Sequence, residues 1–278
     1  SQPAGAGCAP SATQKTYDDN TNLISTTDYN GAVTQYTYYP GNLVKSKTQG
    51  VGSTDQRTTS YEWHPSLRLP VKVAEPKLLT LYEYDSNGNL TGTSEQATLD
   101  ATGAQGLTPT VTGPVRKSSA TYNAVGQILT KAEFVDGIEQ TTRFQYNPLD
   151  GNLESVTDEY GLTTRFSNYN MHGDVGRIEY PEGDITDFTY YPRRWVKSIS
   201  RHTNHGDTLT TTFDYDSRGH VLRENRPHGG IKIVNYDDAG RLINVADNID
   251  NSLDFTLDLM GNRLLEQVRD PKGNLIKQ

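Results

Sequence analysis

The string Tyr84-Asp-Ser-Asn-Gly88-Asn-Leu90 recurs, degraded but legible, along almost the whole chain, and no other feature restricts the fold as much. Tyr215-Asp-Ser-Arg-Gly219-His-Val221 and Tyr236-Asp-Asp-Ala-Gly240-Arg-Leu242 are close copies. Tyr122-Asn-Ala-Val-Gly126-Gln-Ile128, Tyr169-Asn-Met-His-Gly173-Asp-Val175 and Leu257-Asp-Leu-Met-Gly261-Asn-Arg263 keep the same template. Imperfect copies begin at Tyr17, Tyr38, Tyr61, Tyr146 (followed by Gly151) and Tyr190. Successive anchors are 21, 23, 23, 38, 24, 23, 21, 25, 21 and 21 residues apart. Spacing in this range marks a stacked array, in which each small unit buries its faces only against its neighbours.

Each unit reads as a β-hairpin. Residues two apart share one face of a strand, so Phe213 pairs with Tyr215, Tyr36 with Tyr38, Tyr82 with Tyr84 and Phe188 with Tyr190. The Asp that follows can accept backbone N–H bonds, and Gly takes the left-handed conformation that closes a type I turn with a bulge. An aliphatic residue opens the return strand: Leu23, Leu90, Ile128, Val175, Val221 or Leu242. A second turn, as in Asp28-Tyr-Asn-Gly31, Asp158-Glu-Tyr-Gly161 or Pro181-Glu-Gly183-Asp184, precedes a Thr-rich run back to the next Tyr. A lone hairpin is marginal in water, so the hairpins must pair side by side. The expected fold is all-β: one long antiparallel sheet that accumulated strand twist forces to curl. No 3.6-residue apolar period is sustained, so helix should be minor.

One step breaks the rhythm. The 38 residues from Tyr84 to Tyr122 include a Thr/Gly/Ala/Pro-rich stretch at 91–116, expected to be an extended hairpin or surface loop. Residues 1–14 read as a flexible leader and 15–278 as the array, with about eleven repeats.

Composition removes several classes. Apolar residues are 33% of the chain, yet 17 Tyr and regular turn signals do not match a disordered segment. A net charge of −8 opposes sequence-independent binding to nucleic acid, which needs cations to displace counterions from phosphate. No apolar run approaches the ~20 residues needed to span a bilayer, and the N-terminus has no signal-peptide pattern. The single Cys8 permits no internal disulfide.

The repeated Tyr-Asp-x-x-Gly-[Asn/Arg]-Leu unit resembles the Rhs/YD repeat. Gly161-Leu-Thr-Thr-Arg-Phe166-Ser-Asn-Tyr169 is similar to the connecting part of such repeats, and Trp63-His-Pro-Ser-Leu-Arg-Leu-Pro70 to a bacterial variant. The resemblance covers roughly residues 15–278. It implies a hollow, spiralling β-shell of the kind found in bacterial Rhs polymorphic toxins, insecticidal toxin-complex cocoons and teneurins. In the bacterial cases the shell encloses a variable C-terminal toxin, and the polypeptide is exported or delivered by a secretion system. The Asp-Pro-x-x-Gly-Arg-like core signature of complete shells is not found here, so no autoproteolytic aspartate is carried over.

Motifs that carry chemistry are scarce. There is no Gly-x-Ser-x-Gly elbow, P-loop or His-Glu-x-x-His string. His202-Thr-Asn-His205, with His220 and His228, reads as turn histidines rather than zinc ligands, which would have to converge from separate strands. Asp85-Ser-Asn87-Gly-Asn89 has calcium-loop spacing but lacks the distal Glu of an EF-hand. Asp18-Asp19 and Asp237-Asp238 point apart and make poor acid/base pairs. No catalytic, metal or cofactor site is expected. Tyr at the same place in every repeat suits cross-strand packing; the same ring ladder would also suit a glycan. The expected function is therefore a non-catalytic wall segment of a shell around an effector of the same parent polypeptide. The alternative is an extracellular carbohydrate-binding or adhesive module. Open sheet edges would also favour self-association.

Overall fold

The computed structural model describes residues 13–135 and 137–278, which form 23 β-strands and one short 3₁₀ turn at Pro227–Gly229. The strands make one antiparallel sheet, as the sequence predicts. Most of the expected 1–14 leader lies outside the described residues, and the first strand begins at Gln14. Two compact units divide the chain, residues 1–143 and 144–278.

In the first unit, the hairpin at Tyr84 shows why these residues fold this way. Strands Leu78–Tyr84 and Leu90–Thr98 pair with Tyr84 opposite Leu90, and the register slips between Glu83 and Tyr84. That slip is the bulge, and Gly88 at φ +85° supplies the left-handed residue it requires. The Asp85 carboxylate accepts the N–H groups of Asn87 and Asn89, both at 2.9 Å. Its second oxygen accepts the Asn89 side-chain amide at 2.8 Å. A turn four residues long thus satisfies its own polar groups without a core beneath it.

The second unit repeats the device. Register slips occur between Thr189 and Tyr190, Asp214 and Tyr215, Asn235 and Tyr236, and Thr256 and Leu257. Asp258 holds the N–H groups of Met260 and Asn262, and Asp270 those of Lys272 and Asn274. The opposite turns use it too, at Asp158 and Asp247. The turn with Gly183 is closed by Tyr180, one residue before the Pro181 expected to start it.

Strand-to-strand cohesion explains the abundance of Thr. Hydroxyl pairs sit directly opposite across neighbouring strands, at Thr37–Ser46, Thr48–Thr58 and Thr121–Thr130 in the first unit. Thr157–Thr163, Thr189–Ser198 and Ser200–Thr210 do the same in the second. Such pairs are the elementary unit of sheet stability. A core scarcely exists: among the described residues the buried hydrophobics are Ala74, Ala132 and Val234, and no large side chain is fully buried.

Two places depart from the plain repeat. The anchor at Tyr61 is displaced: Trp63, opposite Pro70 and just after the bulge, takes the structural place of the repeat tyrosine. Its indole Nε1 donates to the Val44 carbonyl at 2.6 Å. Within 91–116, strands Leu90–Thr98 and Val111–Tyr122 form a long hairpin, and residues 99–110 between them fold back. Thr58 N–H donates to the Thr102 carbonyl at 2.8 Å, and Lys77 N–H to the Asp100 carbonyl at 2.7 Å. Asp100, only 5% exposed, accepts N–H bonds from Thr102, Gly103, Ala104 and Gln105. Burial opposes its ionisation, but the four N–H groups outweigh that and hold its carboxyl below the usual carboxylate range.

Candidate functional site

The repeat tyrosines are rungs between hairpins. Tyr38 donates its hydroxyl to the Leu23 carbonyl at 2.8 Å, Tyr84 to Pro70 at 2.9 Å and Tyr122 to Leu90 at 2.8 Å. In the second unit Tyr169 donates to Leu153 at 2.7 Å, Tyr190 to Val175 at 2.8 Å and Tyr215 to Val196 at 2.9 Å. The acceptor opens the return strand of the preceding repeat, or in the case of Val175 lies two residues ahead of the strand Arg177–Glu179. Burial pushes the Tyr38, Tyr84, Tyr169, Tyr190 and Tyr215 phenols up. Tyr17, by contrast, is exposed. Tyr61 gives its carbonyl to the Tyr39 hydroxyl, and Tyr236 stacks on His220 at 4.7 Å. Tyr146 ends the strand Ile138–Tyr146 at the same place in its hairpin.

The turns make the second component. Gly126, Gly173, Gly219, Gly240 and Gly261 share with Gly88 a positive φ, between 78° and 94°, and Gly151 has 74°. The residue after the positive-φ position, which is Gly in most of these turns but Thr21 and Asp250 in two, clamps the turn. Asn22, Asn251, Asn262 and Asn274 bind the second oxygen of Asp18, Asp247, Asp258 and Asp270. His220 and Arg241 replace the amide with an imidazole and a guanidinium, on Asp216 at 2.9 Å and Asp237 at 2.7 Å. A column of Asn, Arg and His at that position was the available signal. The Asn22, Asn251, Asn262 and Asn274 amides, and the Arg241 N–H, hold their aspartates below the usual carboxylate range.

Arginines then tie turn to turn in the second unit. Arg193 donates to the Ser217 carbonyl at 2.6 Å, Arg218 to Asp238 at 2.8 Å and Arg241 to Asp258 at 2.9 Å. Trp195 lies 5.3 Å from Tyr215 and against Gly219, where a Cβ would stand 2.9 Å from the indole. Tyr191, Pro192, Arg193, Trp195, Asp214 and Tyr215 enclose an open notch of 360 Å³. The first unit has a similar notch of 410 Å³ between Tyr39, Leu43, Trp63 and Leu107.

The histidines do not converge. His202 joins an Arg177–Asp187 ion pair, with Nε2 3.1 Å from Asp187 and Nδ1 3.0 Å from Thr208. His205 lies in the Thr203–Gly206 turn and His228 in the 3₁₀ turn. Among the described residues, no three His, Cys, Asp or Glu side chains could share a metal ion. Asp85, Asp18 and Asp237 are occupied in their turns. Among the described residues, no helix is long and apolar enough to cross a membrane.

A ladder of tyrosine rungs and clamped aspartate turns on an antiparallel sheet defines a tandem YD-hairpin protein. The family model described as the teneurin YD-shell matches residues 116–270. That is more than half of the 278 residues, and the chain belongs to this family. A TcdB2–TccC3 crystal structure matches with TM-score 0.76 and 16% identity, over 94% of this chain and 16% of that one. A Photorhabdus luminescens Tc holotoxin pore matches equally, with TM-score 0.76 and 16% identity, over 94% of this chain and 15% of that one. These likenesses concern the fold. The chain spans about 15–16% of the length of the structures it matches. No curated protein sequence matches it.

Proposed function

We propose that this YD-shell segment is a non-catalytic piece of wall in a bacterial toxin-type polypeptide, and that the wall encloses an effector carried by the same polypeptide. The observation that carries this reading is a sheet whose stability lies in its rungs and turns, leaving its faces without a core to cover. Such a sheet separates two spaces better than it packs on itself. A TcdB2–TccC3 structure without its hypervariable C-terminal region is among those matched, which supports a cargo separable from the wall. Complexes of TcdB2 with TccC3 also support assembly of the parent polypeptide with other subunits, and hence export or delivery. The tyrosine hydroxyls are committed between repeats, which takes polar groups away from a glycan platform.

Limited proteolysis of the parent polypeptide tests this. The effector segment is expected to resist protease in the intact polypeptide and to become sensitive once the repeats are unfolded. An effector digested equally fast inside and outside the repeats would overturn the reading.

A further inference from the structure

The two notches are copies of one another. Tyr39 and Tyr191, Leu43 and Trp195, Glu62 and Asp214, and Trp63 and Tyr215 are each 152 residues apart. Their bonds repeat with them. Tyr39 donates to the Tyr61 carbonyl at 3.1 Å, and Tyr191 to the Phe213 carbonyl at 3.2 Å. Trp63 donates to Val44 O at 2.6 Å, and Tyr215 to Val196 O at 2.9 Å. Lys45 lies 5.7 Å from the Tyr39 ring, and Lys197 5.8 Å from the Tyr191 ring.

What completes each notch differs. In the first unit Leu107, carried by the folded-back loop, supplies one wall. That loop is latched by the Thr58–Thr102 bond and by Gly103, which presses so closely on the Thr58 carbonyl that a Cβ would lie 1.8 Å from its oxygen. In the second unit all six lining residues belong to the notch's own two hairpins. The aromatic surface there is larger, because Trp195 stands where the first unit has Leu43. Arg193, 5.4 Å from the Trp195 ring, adds a cation where the first unit has Gly41.

We propose that the Tyr191–Trp195–Tyr215 notch is a docking socket for a partner polypeptide loop that presents a leucine-sized aliphatic side chain, in the role Leu107 plays in the first unit. The chain's own loop shows the chemistry that fits: an aliphatic residue, Leu107, in a turn of a loop with a single charge, Asp100. The added Arg193 favours an acidic residue near the partner's leucine. The proposal stands independently of the enclosed effector, since it requires only the socket.

The probe is a synthetic peptide with the sequence of residues 99–110, titrated into the purified chain while the indole N–H resonances of Trp63 and Trp195 are followed. Trp195 is expected to shift saturably and by more than Trp63, whose notch already has Leu107 along one side. Peptide carrying Leu107→Asp is expected to bind at least tenfold more weakly. Leu107→Ser in the chain is expected to make Trp63 respond as well. Absence of a saturable Trp195 shift, or an equal shift from the Leu107→Asp peptide, would overturn the proposal. So would dimers that form without peptide and dissociate on Trp195→Ala, because the occupant would then be a second copy.

Discussion

Tyr84 stands opposite Leu90 in its own hairpin, and its hydroxyl reaches back to Pro70 of the preceding repeat at 2.9 Å. That contact joins residues 14 apart and depends on how hairpins stack, so no local pattern reveals it. Asp and Gly were legible because their turn chemistry is local. The clamp residue after the positive-φ position is visible in the sequence as a column, but its function depends on the second carboxylate oxygen needing a donor. Replacing Tyr84 with Phe removes the hydroxyl bond to Pro70 and is expected to cost about 0.5–1.5 kcal/mol in denaturant unfolding. Asp258→Asn keeps the acceptor for Met260 and Asn262, as Asn123 and Asn170 do in their turns. It is expected to lower stability slightly at neutral pH and to flatten the acid limb of a pH–stability curve.

The hairpins themselves were the most legible elements, because spacing, turn residues and aromatic pairs all agreed. The repeat anchored at Tyr61 was read two residues early. Trp63 does the tyrosine's work with an indole N–H, and Arg68 rather than Gly supplies a positive φ, of 56°. The segment 91–116 was legible only as an interruption. Its Thr, Gly, Ala and Pro content says loop, whereas its docking against Thr58 depends on residues some forty positions away in sequence. Two substitutions test whether that docking holds the loop. Gly103→Ala cannot be accommodated beside the Thr58 carbonyl, and is expected to raise amide exchange throughout 99–110. Asp100→Ala strands buried N–H groups and is expected to cost about 1–3 kcal/mol. Exchange that stays as slow as in the parent chain for both variants would show that the latch lies elsewhere.

At the scale of the whole molecule, ionisation confines the fold between two limits. The turn aspartates, Asp18, Asp85, Asp247, Asp258 and Asp270 among them, have lowered folded pKa values. Their stabilisation is complete above about pH 4 and is lost as pH falls through the folded values. The tyrosine phenols at 38, 84, 169, 190 and 215 are raised, so theirs is complete below about pH 10 and is lost as pH rises further. Thermal midpoints measured across pH are expected to show a plateau with a fall on each side, the alkaline one coinciding with phenolate absorbance. A wall needs stability without a core, and that is what rungs and clamps supply. Calorimetry measures this most directly, because the heat-capacity change of unfolding follows newly exposed apolar surface. The expected increment per residue lies clearly below the globular value of about 12–15 cal/mol/K; an increment within that range would mean that a conventional core is buried and that the coreless wall is wrong.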